Sequence, residues 1–451
     1  MITFGKPTNV YLTKWHGKKV KFLYLLTALS LGLNGCVTKG LLSDRYEKSY
    51  YHIPNLLTEE SLRHDPTFIV IGDTQPAWRG LYKFLTVDNW LTWKMFIFPI
   101  YELYWLGNGA VGLVNWLRHM PDYGYETRTM MRDVVHARAK SSTVGFVLNT
   151  GDKMGQDGRR PANWNMFLTE YYHESSFLKD IPFVPTPGNH ERCNDEIYGR
   201  KNFEAVFDYP MFYKLEFPSI DLFVVDSDII IDWQKDLNSD VQETKFEQWF
   251  VSEDPNHPAW LEAELSKSTK PFKIVSMHHC PFSYGYHWKD WYKCGYGNDA
   301  EIKRKKLVDL FRKYGVQLVL SGHDHIYQHN VLHWKDGEKT PDKDIHFMVS
   351  SGGGTVLRKK TSRKRMSYLT EKYRSEGFIV KALMQEKTYR YCVVSVSPDQ
   401  IIVQTFAVSE DHPFDNTLLE EFTIPSPRNR SKSNSKQSLG YNLKQEKQIN
   451  C

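Results

Sequence analysis

Five short, mainly apolar runs, rich in β-branched and aromatic residues, each end at a glycine, a proline or a polar residue. Runs of this kind predict buried β-strands. They occupy residues 67–71, 144–150, 181–184, 272–277 and 316–320. Another strand is predicted at 221–225, and helices are predicted at 124–140, 162–179, 257–268 and 301–314. Because strands and helices alternate, the pattern predicts an α/β fold with a layered core.

Beyond residue 346 the pattern changes to strands, which are predicted at 347–350, 389–396 and 401–408. Residues 425–451 are rich in Ser, Asn, Gln and Lys. This composition predicts a disordered polar tail, because too little apolar surface is present to offset the entropy of ordering the chain. The folded domain is therefore predicted to span residues 65–424.

The first residues have the layout of a secretory signal. Four Lys lie within residues 14–21, an uncharged apolar run follows at 22–33, and Gly35 precedes Cys36. That run is too short to cross a bilayer as a helix. Residues 1–35 are therefore predicted to be a signal peptide, and the junction at Cys36 resembles a bacterial lipobox. The alternative is an uncleaved membrane anchor.

Lipidation of Cys36 would make the protein a lipoprotein of the bacterial cell envelope, anchored to membrane lipid and facing the periplasm or the exterior. Residues 36–64 are mixed and polar, and are predicted to be a tether. An apolar helical insertion at 78–120 is interrupted by Pro99 and Gly107, so one spanning helix is disfavoured. Residues 80–118 either dip into the lipid interface or pack on the core.

Composition limits the partners. Hydrophobic residues make up 41% and charged residues 25% of the 451 positions, as in ordinary folded proteins. The formal net charge of +5 comes from five Lys within residues 1–35, and the rest of the chain is neutral. Without a basic excess in the domain, no nucleic acid is expected as a stable partner.

Residue types that bind metals follow the predicted strands. They stand directly after the strand ends, as Asp73 and Gln75, Asp152, Asn189 and His190, His278 and His279, and His323 and His325. Sites in α/β sheets gather at the carboxyl ends of strands. Carboxylate, imidazole and amide oxygen suit Zn, Fe or Mn. Each cluster alone is better explained as a turn, a helix cap or a buried polar pair, but five in one chain indicate a shared site.

The order GD, GD, GNHE, H, GHxH resembles the calcineurin-like metallophosphoesterases, and is most similar to their purple acid phosphatase-like relatives. The resemblance covers roughly residues 65–410. It implies a four-layer α/β/β/α sandwich with a dimetal site at the strand ends. It also implies a phosphoric ester hydrolase whose substrate is a phosphate monoester or diester.

Metal ligands follow from the resemblance by position. Asp73 and His325 would bind the first metal, and Asp152 would bridge both metals. Asn189, His278 and His323 would bind the second metal, and His190 would face the leaving group of the substrate. His278 fits the VxxH spacing of the family, and the alternative is an alignment in which His279 is the ligand.

Two departures concern the first metal. Gln75 stands where many members have His, and Gly155 stands where purple acid phosphatases have Tyr. Gln75 is therefore the expected additional ligand, through a neutral oxygen, and the identity of the two divalent or trivalent ions stays open among Zn, Mn and Fe. In such a centre, the metals lower the pKa of a bridging water to give the hydroxide that attacks phosphorus.

Other interpretations remain at this point. One is a surface lipoprotein that keeps the fold for binding only, and another is a nuclease or nucleotidase of the same fold. The glycine-rich turn 350–354 resembles a turn of the family, and the basic residues of 358–365 form either a solvated loop or a contact for anionic lipid or substrate phosphate.

Overall fold

Thirteen β-strands can be followed in the described part of the chain. The computed structural model describes residues 39–76, 124–155, 157–192, 198–232, 259–293, 299–334 and 343–427. The predicted signal peptide, the insertion 78–120 and the tail from residue 428 onward lie outside these ranges. The strands are β1 Thr67–Ile71, β2 Phe146–Asn149, β3 Phe183–Pro185, β4 Tyr213–Glu216, β5 Ile220–Val225, β6 Phe272–Met277, β7 Leu318–Ser321, β8 Tyr327–His333, β9 Ile345–Ser350, β10 Ile379–Glu386, β11 Tyr389–Val396, β12 Gln400–Val408 and β13 Thr417–Pro425.

The strands form two mixed sheets. The first sheet has the order β13-β12-β11-β1-β2-β3, with β1, β2 and β3 parallel to one another and β11 antiparallel to β1. The second sheet has the order β10-β8-β9-β7-β6-β5-β4, in which β5, β6, β7 and β9 are parallel neighbours. Parallel strands are buried on both faces, which explains why every residue of β2 and β5 is buried.

Helices connect and cover the strands. The α-helices are Lys48–Tyr51, Tyr125–Ser141, Pro161–Leu168, Phe177–Asp180, Asn189–Arg192, Gly199–Phe207, Ser227–Asp232, Ala259–Lys267, Asp290–Lys293, Asp299–Tyr314 and Arg363–Ser375. Short 3₁₀ turns occur at Leu42–Asp44 and Ser61–Arg63. Two mixed sheets with helices confirm the predicted α/β sandwich.

The sheets pack face to face around a shared core. Phe146 on β2 stacks on Phe68 of β1 and on Phe217, which follows β4 in the other sheet. Near the site, the hydroxyls of Thr186 and Ser276 lie 2.5 Å apart and join the ends of β3 and β6. The carboxyl ends of parallel strands from both sheets are thereby held at one edge of the core.

Several sequence expectations need correction. The helix expected at 162–179 is broken, because residues Thr169–His173 widen into a π-helical turn and Ser175 and Ser176 precede a separate short helix. The segment 363–365, expected as a loop, starts the helix Arg363–Ser375, with the Ser362 side chain accepting from the Arg365 N–H. Strands β4, β8, β10 and β13 were not expected, because polar residues interrupt each of them and leave no continuous apolar run.

The segment predicted as a tether is ordered against the domain from residue 41 onward. Leu42, Tyr51 and Ile53 are buried in the common core. The Ile53 N–H donates to the Val206 carbonyl at 2.8 Å, so the segment also bonds to the helix Gly199–Phe207. The described residues from Gly40 onward belong to one compact unit. Within the described ranges, no helix combines the length and the apolar character required of a transmembrane helix.

Candidate metal centre

The loops after β1, β2, β3, β6 and β7 converge at the edge where the two sheets meet. The Asp73 N–H donates to the Gly151 carbonyl at 3.0 Å, which joins the first two loops. The His323 N–H lies 3.0 Å from both carboxylate oxygens of Asp73, which joins β1 to β7 across the sandwich. The Gly322 N–H donates to the His278 carbonyl at 2.9 Å. Five strand ends far apart in sequence therefore form one site.

Asp152 lies at the centre of this site. Its Oδ2 is 3.2 Å from His278 Nε2 and 3.6 Å from His190 Nε2. The ligand atoms of Asp152, His278 and His323 lie within 4.8 Å of one another, and so do those of Asp73, Asp152 and His325. Asp152 belongs to both groups, which is the arrangement that a bridging carboxylate requires.

The backbone at the site is strained. Among the described non-glycine residues, a positive φ occurs at five positions, and four of these are Asp73, Asp152, His323 and His325. Side chains disfavour this left-handed region, so a residue held there is imposed by its surroundings. The concentration of strain on four predicted ligands indicates that the fold fixes their directions.

Glycines precede the ligands because the loops approach one another too closely for a side chain. A Cβ on Gly151 would lie 2.3 Å from His278 Nδ1, and a Cβ on Gly188 would lie 2.4 Å from Asp152 Oδ1. Gly151 also has φ +108°, which favours glycine on its own. The glycines of the GD and GNHE motifs therefore serve close packing around Asp152.

Glu191 holds two of the loops together. Its Oε2 accepts from the N–H groups of Asp152 at 2.9 Å and Gly188 at 2.7 Å, and its Oε1 accepts from the Lys153 N–H at 2.7 Å. The Lys153 ammonium lies 3.6 Å from the same carboxylate, and both side chains are fully buried. The sequence contained Glu191 in the GNHE motif, but its role in fixing Asp152 needed the tertiary structure.

The two adjacent histidines after β6 have different surroundings. His278 Nδ1 lies 2.8 Å from the Thr150 carbonyl, so it is the N–H nitrogen and leaves Nε2 facing Asp152. His279 is turned away, with Nδ1 2.9 Å from the Ser227 hydroxyl. The VxxH register with His278 as the ligand matches this geometry, whereas the register with His279 does not.

The donor atoms fit a cation. Asn189 Oδ1 and Gln75 Oε1 are buried side-chain atoms without a hydrogen-bond partner among the described residues. Buried polar atoms are costly unless something satisfies them. Two carboxylates, three imidazoles and these amides are a donor set suited to Zn, Mn or Fe. The predicted ligands therefore meet with oxygen and nitrogen atoms still available.

Gln75 is oriented differently from the other predicted ligands. Its Nε2 lies 3.3 Å from Asp152 Oδ2 and 3.1 Å from His325 Nε2. The amide nitrogen thus lies among the ligand atoms of the first group, and the amide must rotate for its oxygen to bind a cation. Gly155 has no side chain, so it supplies no phenolate-type ligand, although a Cβ at this position would meet Pro76 only at ordinary contact distance.

The imidazoles near the two buried carboxylates, Asp73 and Asp152, do not fully offset their negative charge. Burial raises the pKa of Asp73 to about 7 against the opposing effect of the His278 imidazole, and Asp152 adds to the rise. Burial also acts on Asp152, but the His190 and His278 imidazoles hold its pKa well below the usual range. For His278, the Asp152 carboxylate outweighs burial and raises the pKa to about 10. A bound cation would remove the repulsion between the two buried carboxylates.

His323 and His325 are suited to be neutral ligands. Burial lowers the pKa of His325 to about 3. Burial also lowers the pKa of His323 to about 3, assisted by the neighbouring His287 imidazole. His325 Nδ1 lies 3.0 Å from the Val356 carbonyl, while its Nε2 is 3.4 Å from Asp73 Oδ1. Metal-binding imidazoles must be unprotonated.

His190 lies at the edge of the cluster of predicted metal ligands and is not fully buried. Its backbone N–H donates to Asp152 Oδ1 at 3.1 Å, and its side chain is 27% exposed. The His190 ring is therefore partly open to solvent beside Asp152.

Sequence reasoning missed His287 and Asp290. With His323 they form a third group of possible ligands whose atoms lie within 4.8 Å of one another. Both residues lie on a loop and a four-residue helix rather than at a strand end, so the strand-end pattern gave no signal for them. The nearby Tyr284 and Trp291 are buried by packing, whereas Tyr286 is 61% exposed.

The glycine turn after β9 is hydrogen-bonded to the backbone directly before Asp73. The N–H groups of Gly352 and Gly353 donate to the Gly72 carbonyl at 3.2 and 2.8 Å, directly before Asp73. Further along, the Arg358 N–H donates to the His325 carbonyl at 2.9 Å, and its guanidinium carbon lies 4.6 Å from the centroid of the Tyr286 ring. The start of the basic segment therefore reaches the rim of the site.

Comparison with known proteins identifies relatives. Over 98 residues the chain is 30% identical to purple acid phosphatase 17 of Arabidopsis thaliana, covering 22% of this chain and 24% of that protein. Over 262 residues it is 23% identical to tartrate-resistant acid phosphatase type 5 of Oryctolagus cuniculus, covering 51% of this chain and 69% of that protein.

Among solved structures, purple acid phosphatase PPD1 from yellow lupin (Lupinus luteus) is similar, with a TM-score of 0.47 and 13% identity, over 81% of this chain and 54% of that one. The calcineurin-like phosphoesterase family model matches residues 66–327, which include every predicted metal ligand. This chain is therefore a member of the calcineurin-like phosphoesterase family.

Proposed function

We propose that this protein is a metal-dependent phosphoesterase that hydrolyses phosphate monoesters or diesters. The observation that carries the proposal is the position of Asp152, which is shared by two groups of ligand atoms at the meeting point of five strand ends. When bound there, two ions would neutralise the anionic ester and lower the pKa of a water toward neutrality, as the predicted dimetal-activated hydroxide requires.

The residues of the chain have distinct tasks in this proposal. Asp73, His325 and Asp152 would hold the first ion, with the Gln75 oxygen available after rotation of its amide. Asp152, Asn189, His278 and His323 would hold the second ion. Four of these residues, Asp73, Asp152, His323 and His325, have a positive φ.

His190 is proposed to serve the leaving group. Its Nε2 is held 3.6 Å from Asp152 Oδ2 and its ring is partly open to solvent. From this position a protonated ring can donate to the oxygen that departs from phosphorus. Preorganised donors at such a position stabilise charge as it develops, because they need no rearrangement during the reaction.

Metal analysis combined with a panel of phosphate esters tests the proposal. The purified protein is expected to hold two ions and to hydrolyse at least one class of ester, and Asp152→Asn is expected to lose both properties. The panel includes monoesters, diesters, nucleotides and nucleic acid, so a nucleotidase or nuclease is recognised by its substrate. A wild-type protein without metal would support the non-catalytic alternative, and activity retained in Asp152→Asn would contradict the mechanism.

We also propose that the protein is secreted and anchored to the bacterial cell envelope through Cys36. The support is the order of a basic segment, a short apolar run and Gly35 before Cys36. In cells, Cys36→Ser is expected to weaken membrane association, and full release is expected only when residues 80–118 are also deleted. Full release by Cys36→Ser alone would exclude the insertion as a second lipid contact.

A further inference from the structure

Asp290 contacts two imidazoles at the edge of the candidate metal centre. Its Oδ2 lies 2.7 Å from His323 Nε2 and 2.8 Å from His287 Nδ1. The side chain of Asp290 is 15% exposed and that of His323 is 11% exposed, so water screens this contact only weakly. Of the predicted ligands of the second ion, His323 is the one that this carboxylate contacts.

The loop that carries Asp290 is fixed to the ligand loop after β7. Asp324, which stands between His323 and His325, accepts from the His287 N–H at 2.7 Å through Oδ1 and from the Ser283 hydroxyl through Oδ2. A Cβ on Gly285 would lie 2.4 Å from Asp324 Oδ1, so only glycine allows this approach.

A buried tryptophan fixes the other end of the same loop. Trp291 is 2% exposed, and its Nε1–H donates to the Cys280 carbonyl at 2.9 Å, two residues after His278. The Asp290 N–H donates to the His287 carbonyl at 2.9 Å. The position of the Asp290 carboxylate is therefore determined by the fold and does not depend on a flexible surface side chain.

We infer that Asp290 is a positioning residue for the second metal ion, and that it acts by fixing the ring orientation and tautomer of His323. The inference rests on the proposed function. His323 Nε2 lies 2.7 Å from the Asp290 carboxylate and would donate its hydrogen to it, which leaves Nδ1 as the unprotonated nitrogen available to a cation. A carboxylate hydrogen-bonded to a metal-binding imidazole fixes the tautomer and raises the basicity of the ligand.

The strained backbone at His323 makes this support necessary. The residue has φ +75°, so its ring starts from a conformation that few side chains adopt. Without Asp290, both tautomers become accessible, and the one that carries hydrogen on Nδ1 cannot bind the second ion through that nitrogen. Removing supporting groups of this kind weakens metal binding by about 10–100-fold.

A third metal ion is a different use of the same residues. The atoms of His287, Asp290 and His323 are close enough to bind one. A neutral imidazole has one unprotonated nitrogen, however, so His323 cannot serve the second ion through Nδ1 and a third ion through Nε2 at once. The positioning role therefore predicts two ions per chain rather than three.

The test is zinc binding by the full-length protein and by Asp290→Asn. Zinc stoichiometry is measured after equilibration, and the affinity of each ion is measured by competition with a coloured chelator. In Asp290→Asn, the affinity for one of the two ions is expected to fall by about 10–100-fold, and the affinity for the other is expected to stay unchanged. Asp290→Glu, which keeps the carboxylate, is expected to give an intermediate affinity. Cobalt substitution supplies a second signal, since the visible spectrum of the weakened site is expected to change.

Asp180→Asn is the matched control. Asp180 Oδ2 lies 3.1 Å from His136 Nε2, which is the same carboxylate–imidazole contact at a distance from the candidate centre. This variant is expected to bind zinc as the wild type does. If Asp290→Asn does not fold, Asp290→Ser is measured in its place.

The outcomes separate this inference from the proposed function. Two ions in the wild type with unchanged affinities and an unchanged cobalt spectrum in Asp290→Asn would overturn the positioning role alone. Three ions in the wild type, with one lost in Asp290→Asn, would also overturn it. A wild-type protein that binds no ion would contradict the proposed function, and the inference would fall with it.

Discussion

At the scale of single residues, the glutamate of the GNHE motif acts through the backbone. The Glu191 carboxylate accepts from three N–H groups on two ligand loops, and it lies beside the buried Lys153 ammonium. Hydrogen bonds to a charged acceptor are stronger than neutral ones, and a buried charge that loses its partner is costly. Glu191 therefore supports Asp152 without needing to touch a substrate.

Glu191→Gln is expected to destabilise the protein by about 3–5 kcal/mol, because the change removes the negative charge beside a buried ammonium. Chemical denaturation of the metal-free protein measures the free energy of unfolding. Glu174→Gln, at an exposed position, is the control and is expected to change it by less than about 0.5 kcal/mol. An equal effect of both variants would refute the role assigned to Glu191.

Gln75 stands at a position where the family resemblance led us to expect a histidine ligand. An amide binds a cation more weakly than an imidazole does, and the Gln75 nitrogen now lies 3.1 Å from His325 Nε2. Gln75→His is expected to raise the affinity for the first ion by about tenfold, which corresponds to a binding free energy more favourable by about 1.4 kcal/mol.

Chelator competition measures this affinity in Gln75→His and in Gln75→Ala. The alanine variant is the control for loss of the amide. If both variants bind the first ion as the wild type does, Gln75 has no part in holding it.

At the scale of elements, two segments outside the strand ends form the rim of the site. One is the loop 283–289, which leads to the helix Asp290–Lys293, and the other is the segment 354–362, which leads to the helix Arg363–Ser375. They meet where the Arg358 guanidinium lies over the Tyr286 ring. The exposed tyrosine and the guanidinium give the rim a planar surface and a positive charge.

Arg358→Ala is expected to raise KM for an anionic ester about fivefold with little change in kcat, since a partly exposed ionic contact is worth about 1 kcal/mol. Steady-state kinetics at low salt measure both constants. Arg365→Ala, which changes an exposed residue of the following helix, is the control. If KM is the same in all three proteins, Arg358 does not contact the substrate and the rim is only a solvated surface.

At the scale of the whole molecule, a polar network inside the sandwich joins the two sheets. Glu420 on β13 accepts from the Tyr327 hydroxyl at 2.6 Å and lies 2.7 Å from His329 Nδ1, and both partners are on β8 of the other sheet. His329 Nε2 in turn lies 2.9 Å from His346 Nδ1 on β9. Such buried networks stabilise only when each member has a partner.

Glu420→Ala is expected to lower the free energy of unfolding by about 2–4 kcal/mol, because it leaves the buried Tyr327 hydroxyl and His329 imidazole without their acceptor. Thermal or chemical denaturation measures the change. Glu421→Ala removes the neighbouring exposed carboxylate and is expected to have little effect. Metal binding by both folded variants should match the wild type, since neither residue lies at the candidate centre.

The fold class could be predicted because most residues of the central strands are apolar, β-branched or aromatic. The expected runs 67–71, 272–277 and 389–396 coincide with β1, β6 and β11. Strands β10 and β13 escaped prediction because their half-exposed residues mix polar and apolar types without a clear period. Their positions depend on strand pairing: β10 pairs with β8, which is distant in the chain, and β13 pairs with β12 across a loop.

The sequence by itself determined the family and the residues that stand at the strand ends, because strand-forming runs and the glycines that follow them are local properties. Only the tertiary structure decided that Asp152 lies in both ligand groups, that His278 rather than His279 faces it, and that Asp290 contacts His323. These facts depend on contacts between loops far apart in the chain, and the packing of the two sheets sets the distances across which such contacts form.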